Sequence, residues 1–210
     1  MTIQFKVNYN VSADELQGKS VLVFLKPQNP QRNYQIHAWQ VLAGVPGTTE
    51  SFHYTPQIST DVTSRDINDS NIVSGRKPVQ PGQLLAAVSP NGMTPPLLQP
   101  GSTSLAQTKL TPQQCGVINH TNPYIQFDSN WYVNDRPVVT MPQVDTQMTV
   151  SFEHLPNFYF MVASPPTAGQ TYIVQNFSDM TQYVMPETVT EVDVTVHRKQ
   201  GLWHFDFSAS

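Results

Sequence analysis

The sequence predicts an all-β protein built as an antiparallel β-sandwich, and three observations carry that prediction. Apolar runs with a period of two recur along the chain. Helical periodicity is nearly absent. Prolines, 18 in 210 residues, flank most of the runs, where they preset turn geometry and forbid helix continuation. The stretch 131–163 shows all three. Met148, Val150, Phe152 and His154 alternate with Thr149, Ser151 and Glu153, which predicts a half-buried strand with a core face and a wet face. Phe158 to Val162 is apolar on both faces, as a covered central strand requires. Asn134-Asp135 and Leu155-Pro156-Asn157 supply turn chemistry between the runs.

The remaining elements follow in order. Ile3, Phe5, Val7 and Tyr9 alternate with polar residues in a first half-buried strand. Ser12 to Glu15 has the pattern that caps one helical turn, and Gly18 ends it. Val21 to Leu25 reads as a buried strand closed by Pro27 and Pro30. Tyr34 to Leu42 is the third, with Ile36 and Ala38 on one face and His37, Trp39 and Val41 on the other. Phe52–Tyr54 and Ile58–Val62 continue the pattern. Residues 64–76 form a polar surface loop. Residues 78–112 hold a strand at Leu84–Val88 and a turn at Ser89-Pro90-Asn91-Gly92. Pro100 to Gly116 reads as a long connection. Gly169-Gln170 predicts a turn into Tyr172–Val174, and Gln182–Val184 is a short strand. The chain closes on a hairpin in which Val192, Val194 and Val196 share a face with Trp203, Phe205 and Phe207. No tandem repeat is strong enough to claim from the sequence. The length suits one domain over 1–210, or two packed β-modules, 1–100 and 118–210, divided in the proline-rich connection.

Composition limits function. Charged residues are 12% of the chain, about half the usual share. Polarity comes from 20 Gln and 20 Thr, a surface suited to neutral polar ligands. Net charge is −4, and no basic cluster offers a footprint for nucleic acid or for an anionic membrane. No run approaches the roughly 20 apolar residues of a membrane span. Cys115 is the single cysteine, so no intrachain disulfide forms, which fits a reducing compartment. The start lacks a signal peptide's features. The expected location is the cytoplasm, or outside the cell by a non-classical route. Four Asn-x-Ser/Thr sequons, at Asn10, Asn68, Asn119 and Asn176, are chance in so polar a chain.

The final hairpin holds the sharpest geometric candidate. With a two-residue Gln200-Gly201 turn, His197 falls opposite His204, about 5 Å away between Cβ atoms, with Asp206 as a diagonal carboxylate. Two imidazoles with a diagonal carboxylate are ligands for a divalent metal, although zinc takes three or four protein ligands, and a turn at Lys199-Gln200 keeps the apolar faces matched but sets His204 opposite Thr195, leaving an ordinary solvated face. Asp66 to Asn71 spaces oxygen ligands as a calcium loop does, but no glycine stands at the sixth place, and Lys77 replaces the bidentate glutamate. Cys115 and His120 are a thiol and a base close in sequence, a pattern that packing residues also give. Phosphate-loop, nucleophile-elbow and paired-histidine metalloenzyme motifs are absent from the sequence. Tyr124, Tyr132 and Tyr183 are the candidate ligand-binding aromatics, with rim loops near 64–76 and 90–101.

Trp131-Tyr132-Val133-Asn134-Asp135-Arg136-Pro137-Val138 resembles the strand C to C′ corner of immunoglobulin-like sandwiches, where a tryptophan packs the core. The resemblance covers eight residues and implies an immunoglobulin-like or jelly-roll-like sandwich without implying a function. The paired cysteines of that family are missing. The expected class is a non-enzymatic binding or interaction module, lectin-like, toxin-like or surface-binding, with a carbohydrate or protein partner and no cofactor. The alternative is a metal-binding protein or metal-dependent enzyme using His197, His204 and Asp206. Abundant strands with few charges also make homo-oligomers an expectation.

Overall fold

The computed structural model describes residues 2–66, 68–164, 173–174, 179–186 and 188–210. The predicted turn at Gly169-Gln170, Tyr172 and the Asn176 sequon lie outside them. The described residues are 54% strand and 7% helical. In order come β1 (Ile3–Tyr9), helix α1 (Ala13–Leu16), β2 (Ser20–Lys26), β3 (Gln35–Leu42), β4 (Thr49–Tyr54) and β5 (Ile58–Arg65). Next are β6 (Asn71–Val73), β7 (Lys77–Pro78), β8 (Leu84–Val88), β9 (Leu97–Pro100), helix α2 (Thr103–Lys109) and β10 (Gln114–Asn119). Then follow β11 (Phe127–Val133), β12 (Arg136–Val144), β13 (Thr149–Glu153) and β14 (Asn157–Ala163). The last strands are β15 (Ile173–Val174), β16 (Thr181–Tyr183), β17 (Glu191–Lys199) and β18 (Leu202–Ala209).

These elements form two interleaved compact units. The first comprises residues 1–26, 36–56 and 157–210, and the second residues 27–35 and 57–156. The predicted boundary at 100–118 therefore falls inside the second unit.

In the first unit, one sheet runs β18-β17-β1-β4 and the other contains β16-β14-β2-β3. The alternation of β1 buries Ile3, Phe5, Val7 and Tyr9 completely or nearly so. The two sheets meet through aromatic rings. Phe5 stacks on Phe52 of its own sheet at 4.8 Å and lies 5.0 Å from Phe158 of the other, while Trp39 meets Phe52 and Tyr54 edge-on across the gap at 5.7 and 5.8 Å. Such pairs each add about 0.5–1.5 kcal/mol beyond the area they bury. The expected alternation of β3 is broken by a register shift where β2 passes from Val23 to Phe24. Trp39 and Leu42 are buried as a result and Val41 is exposed, because the extra residue of a bulge moves the following side chains to the other face.

In the second unit, one sheet runs β13-β10-β8-β9 and the other contains β12-β11-β5-β6, with β7 also on β5. Trp131 is fully buried against Phe152 at 5.9 Å. The β11–β12 hairpin turns at Asn134 and Asp135 with φ of 51° and 62°, the left-handed pair that tight hairpins favour.

Two departures from expectation stand out. The pairs β1–β17 and β8–β10 are parallel, so the sheets are not wholly antiparallel. The supposed connection 100–116 contains α2. Its Ser102 hydroxyl caps Leu105 N at 3.3 Å, and Ala106, with Leu105 and Leu110, packs on Leu84, Ala86 and Ile118. A serine cap ahead of a Leu-Ala pair, with Leu110 four residues past Ala106, is the sequence signal for it.

Candidate functional site

A cleft of about 460 Å³ opens on the second unit, lined by Thr63, Ser64, Arg65, Asn71, Thr94, Tyr124 and residues 125–128. Three segments build it: the end of β5 with β6, the β8–β9 loop, and the β10–β11 loop.

The β10–β11 loop is held from beneath by Asn119, which is fully buried. Its Nδ2 donates to the carbonyls of Ile125 (2.9 Å) and Val144 (2.8 Å). Its Oδ1 accepts from Thr121 N (3.0 Å) and Thr121 Oγ1 (2.8 Å), and that hydroxyl oxygen accepts from Ile125 N at 2.9 Å. An interior amide that uses every donor and acceptor fixes the backbone around it. The sequon at Asn119 is thereby closed to modification in the folded chain. Tyr124 is carried outward on this loop, 57% exposed. Its hydroxyl donates to Asp145 Oδ1 at 2.6 Å, and Gln126 Nε2 donates to the same oxygen at 2.6 Å. Tyr124 and Gln126 hold the Asp145 carboxyl below the ordinary range, while the carboxylate pushes the Tyr124 phenol up. The ring thus stands at the rim with its polar end anchored and its faces available. Ser89 Oγ, at the start of the β8–β9 loop, donates to Pro123 O at 3.1 Å and ties the second wall to the first.

The third wall is stabilised within itself. Asp66 Oδ1 accepts from the backbone N–H of Asn68 and Ser70, each at 2.8 Å, and Arg65 pairs with Asp69 at 2.6 Å. Asp66, the first oxygen ligand of the calcium-loop pattern, is thus spent on turn closure. Inside the cleft wall the Ser64 hydroxyl is buried without a hydrogen-bond partner among the described residues.

The three candidate tyrosines part company. Tyr124 lines the cleft. Tyr132 lies elsewhere on the second unit, under the Arg76 guanidinium, whose Cζ sits 3.4 Å from the ring centroid. Arg76 is in turn held by Asp61 (3.5 Å) and Asp135 (3.4 Å). Tyr183, expected to be exposed, is buried in the first unit. It stacks on Phe207 at 4.8 Å and meets Phe5 edge-on at 6.2 Å. Its short strand pairs with β14, whose apolar faces draw the ring inward.

The hairpin has the expected register: Gln200 and Gly201 form the turn, with φ of 52° and 82°, and His197 faces His204. The imidazoles stack at 5.5 Å with 15° between planes, and Asp206 Oδ2 lies 3.4 Å from His197 Nδ1. Ring nitrogens lie in the ring plane, so two parallel stacked rings do not aim lone pairs at a common point. Among the described residues no group of three His, Cys, Asp or Glu side chains is placed to hold a metal. Cys115 is fully buried, its thiol pushed up by desolvation and directed at Phe152 O at 3.3 Å, an environment opposed to thiolate chemistry. Trp203, expected in the core, is half-buried, with the cations of Lys19 and Arg198 5.3 and 5.6 Å from its ring.

Among the described helices none is long and apolar enough to cross a membrane. Compared with protein-family models, curated proteins and solved structures, the chain matches none.

Proposed function

We propose that the protein is a non-enzymatic binding module and that the cleft beside Tyr124 receives a neutral, hydroxyl-rich ligand of carbohydrate type. One observation carries the reading: a concave site whose rim presents an anchored, exposed tyrosine among Thr63, Asn71, Thr94 and Gln126. Aromatic faces bind the apolar side of a sugar ring, and amide and hydroxyl groups bind its edge. The charged groups at the cleft are already engaged. Arg65 is paired with Asp69, and Asp128 Oδ1 accepts from Gln143 N at 2.9 Å. Neutral donors and acceptors are left for the ligand.

One loop that walls the cleft, β8–β9, is long where the last hairpin of the first unit is tight. The β8–β9 connection spans residues 89–96, while β17–β18 turns in two residues. Binding sites concentrate on such loops over a rigid scaffold.

A glycan array followed by calorimetry tests the reading. Tyr124→Ala is expected to weaken binding of any hit by about 10-fold or more, the worth of one aromatic contact, and to leave the melting temperature unchanged. A glycan hit indifferent to Tyr124→Ala places binding elsewhere. Capture of a protein partner that needs Tyr124, with no glycan bound, moves the site to protein recognition.

A further inference from the structure

The two units, described separately, follow one plan. In the first, β18-β17-β1-β4 has an antiparallel, a parallel and an antiparallel pairing in turn, and in the second β9-β8-β10-β13 has the same. The opposing sheets correspond as well, β16-β14-β2-β3 to β7-β5-β11-β12.

The agreement extends to register. Phe5 faces Phe52 and Val7 faces Glu50, as Cys115 faces Phe152 and Val117 faces Val150. Leu25 and Val23 face Phe158 and Phe160, as Val133 and Trp131 face Ile58 and Thr60. The register shift in β2–β3, after Val23, recurs in β11–β12 after Trp131. The turn before β4 and the turn before β13 make the same hydrogen bonds. Gly47 N donates to Tyr9 O and Gln147 N to Asn119 O, both at 2.8 Å, and Thr48 N and Met148 N close on Val45 O and Asp145 O at 3.1 and 3.0 Å. Gly47 and Gln147 share a positive φ, 73° and 67°. Thr49-x-Ser51-Phe52-x-x-x-Pro56 returns 100 residues later as Thr149-x-Ser151-Phe152-x-x-x-Pro156.

The correspondence does not map one unit onto the other in chain order. It maps β1–β9 onto β10–β18 along the chain, with one exception: β6 pairs with β5, whereas its counterpart β15 pairs with β3. Strands β1–β4 and β14–β18 make the first unit, and β5–β13 the second. Each half of the chain therefore gives its leading strands to one unit and its trailing strands to the other. The joints are the parallel pairs β1–β17 and β10–β8 and the antiparallel pairs β2–β14 and β11–β5.

We infer that the chain is a fused dimer: two copies of one repeat of about 100 residues that bind each other by exchanging halves, so that the partner recognised by the repeat's β1 and β2 edges is another copy of the same repeat. Exchange of an identical element between protomers is a low-cost route to association. Here neither unit can complete a sheet from one repeat alone.

A protease site inserted in the full chain between Pro112 and Gln113, both exposed, tests it. After cleavage, with no denaturant, the two pieces are expected to stay together and elute as the 23.5 kDa chain does. The cut protein should also melt as a bimolecular complex, losing about 3–6 °C for each tenfold dilution, while the uncut protein shows no such loss. Pieces that separate on cutting, or a cut protein whose melting ignores concentration, would overturn the inference, since independently folded halves behave that way. If the insertion itself prevents folding, the same cut made between Lys109 and Leu110 is read by the same two outcomes.

Discussion

Asn119 is the residue on which the cleft depends most. Four hydrogen bonds converge on its side chain in a fully buried position. Asn119→Ala leaves the carbonyls of Ile125 and Val144 without that donor, at about 1–3 kcal/mol for each buried group left unsatisfied. The expected result in urea denaturation is a loss of at least that size, together with weaker binding at Tyr124 because the loop is no longer held. Glu153 illustrates a different residue-scale effect. It was expected on a wet face but is 4% exposed, accepting from Gln28 N (3.1 Å) and Gln114 Nε2 (3.2 Å). Burial raises its carboxyl above the ordinary value. A folded value above the unfolded one means that the native state holds the proton more tightly. The stability it gives is complete below the unfolded value of about 4.3 and is lost as pH rises through the folded value. Glu153→Gln removes this term. The stability of the wild type relative to Glu153→Gln should therefore be higher at pH 4 than at pH 7, as midpoints measured at both pH values will show.

At the scale of elements, matched turns serve as internal controls. Gly47 and Gln147 occupy equivalent turns with positive φ. A non-glycine residue in that region costs about 1–2 kcal/mol, partly offset by the greater unfolded-chain entropy of glycine. Gln147→Gly is expected to raise stability by about 0.5–1 kcal/mol and Gly47→Gln to lower it by a similar amount. Equal signs in chemical denaturation would contradict the shared geometry. The hairpins at Asn134-Asp135 and Gln200-Gly201 were legible in the sequence because their turn residues are those that tolerate positive φ. Helix α2 is hard to see in the sequence because it is 7 residues long and its apolar contacts are few.

For the whole molecule, few charges and many strands govern solution behaviour. Strand β18 ends one sheet of the first unit, and β9 ends one sheet of the second. Leu202 and Leu97 on them are 66% and 46% exposed. With a pI near 5.8, electrostatic repulsion between chains vanishes close to that pH, and such edges pair most readily. Light scattering against concentration should show association greatest near pH 5.8 and receding at pH 8. Scattering independent of pH would remove the edges from consideration.

The features legible in the sequence are local. The period of two along β1, the turn at Asn134-Asp135 and the opposition of His197 to His204, one of two registers open to the final hairpin, are set by neighbours a few positions away. Proline placement excluded long helices for the same reason. Other outcomes turned on contacts between segments far apart in the chain. Tyr183 was drawn inside by β14 and Phe207, Glu153 was buried beside Gln28 and Gln114, and the bulge in β3 exposed Val41. Tyr124 was named from sequence, but its cleft exists only where loops from three separate parts of the chain converge. The residues 100–118 lie within one compact unit and are not where the units divide. Strand pairing is indifferent to sequence distance, so only the tertiary structure could decide that each repeat completes its sheets with strands of the other.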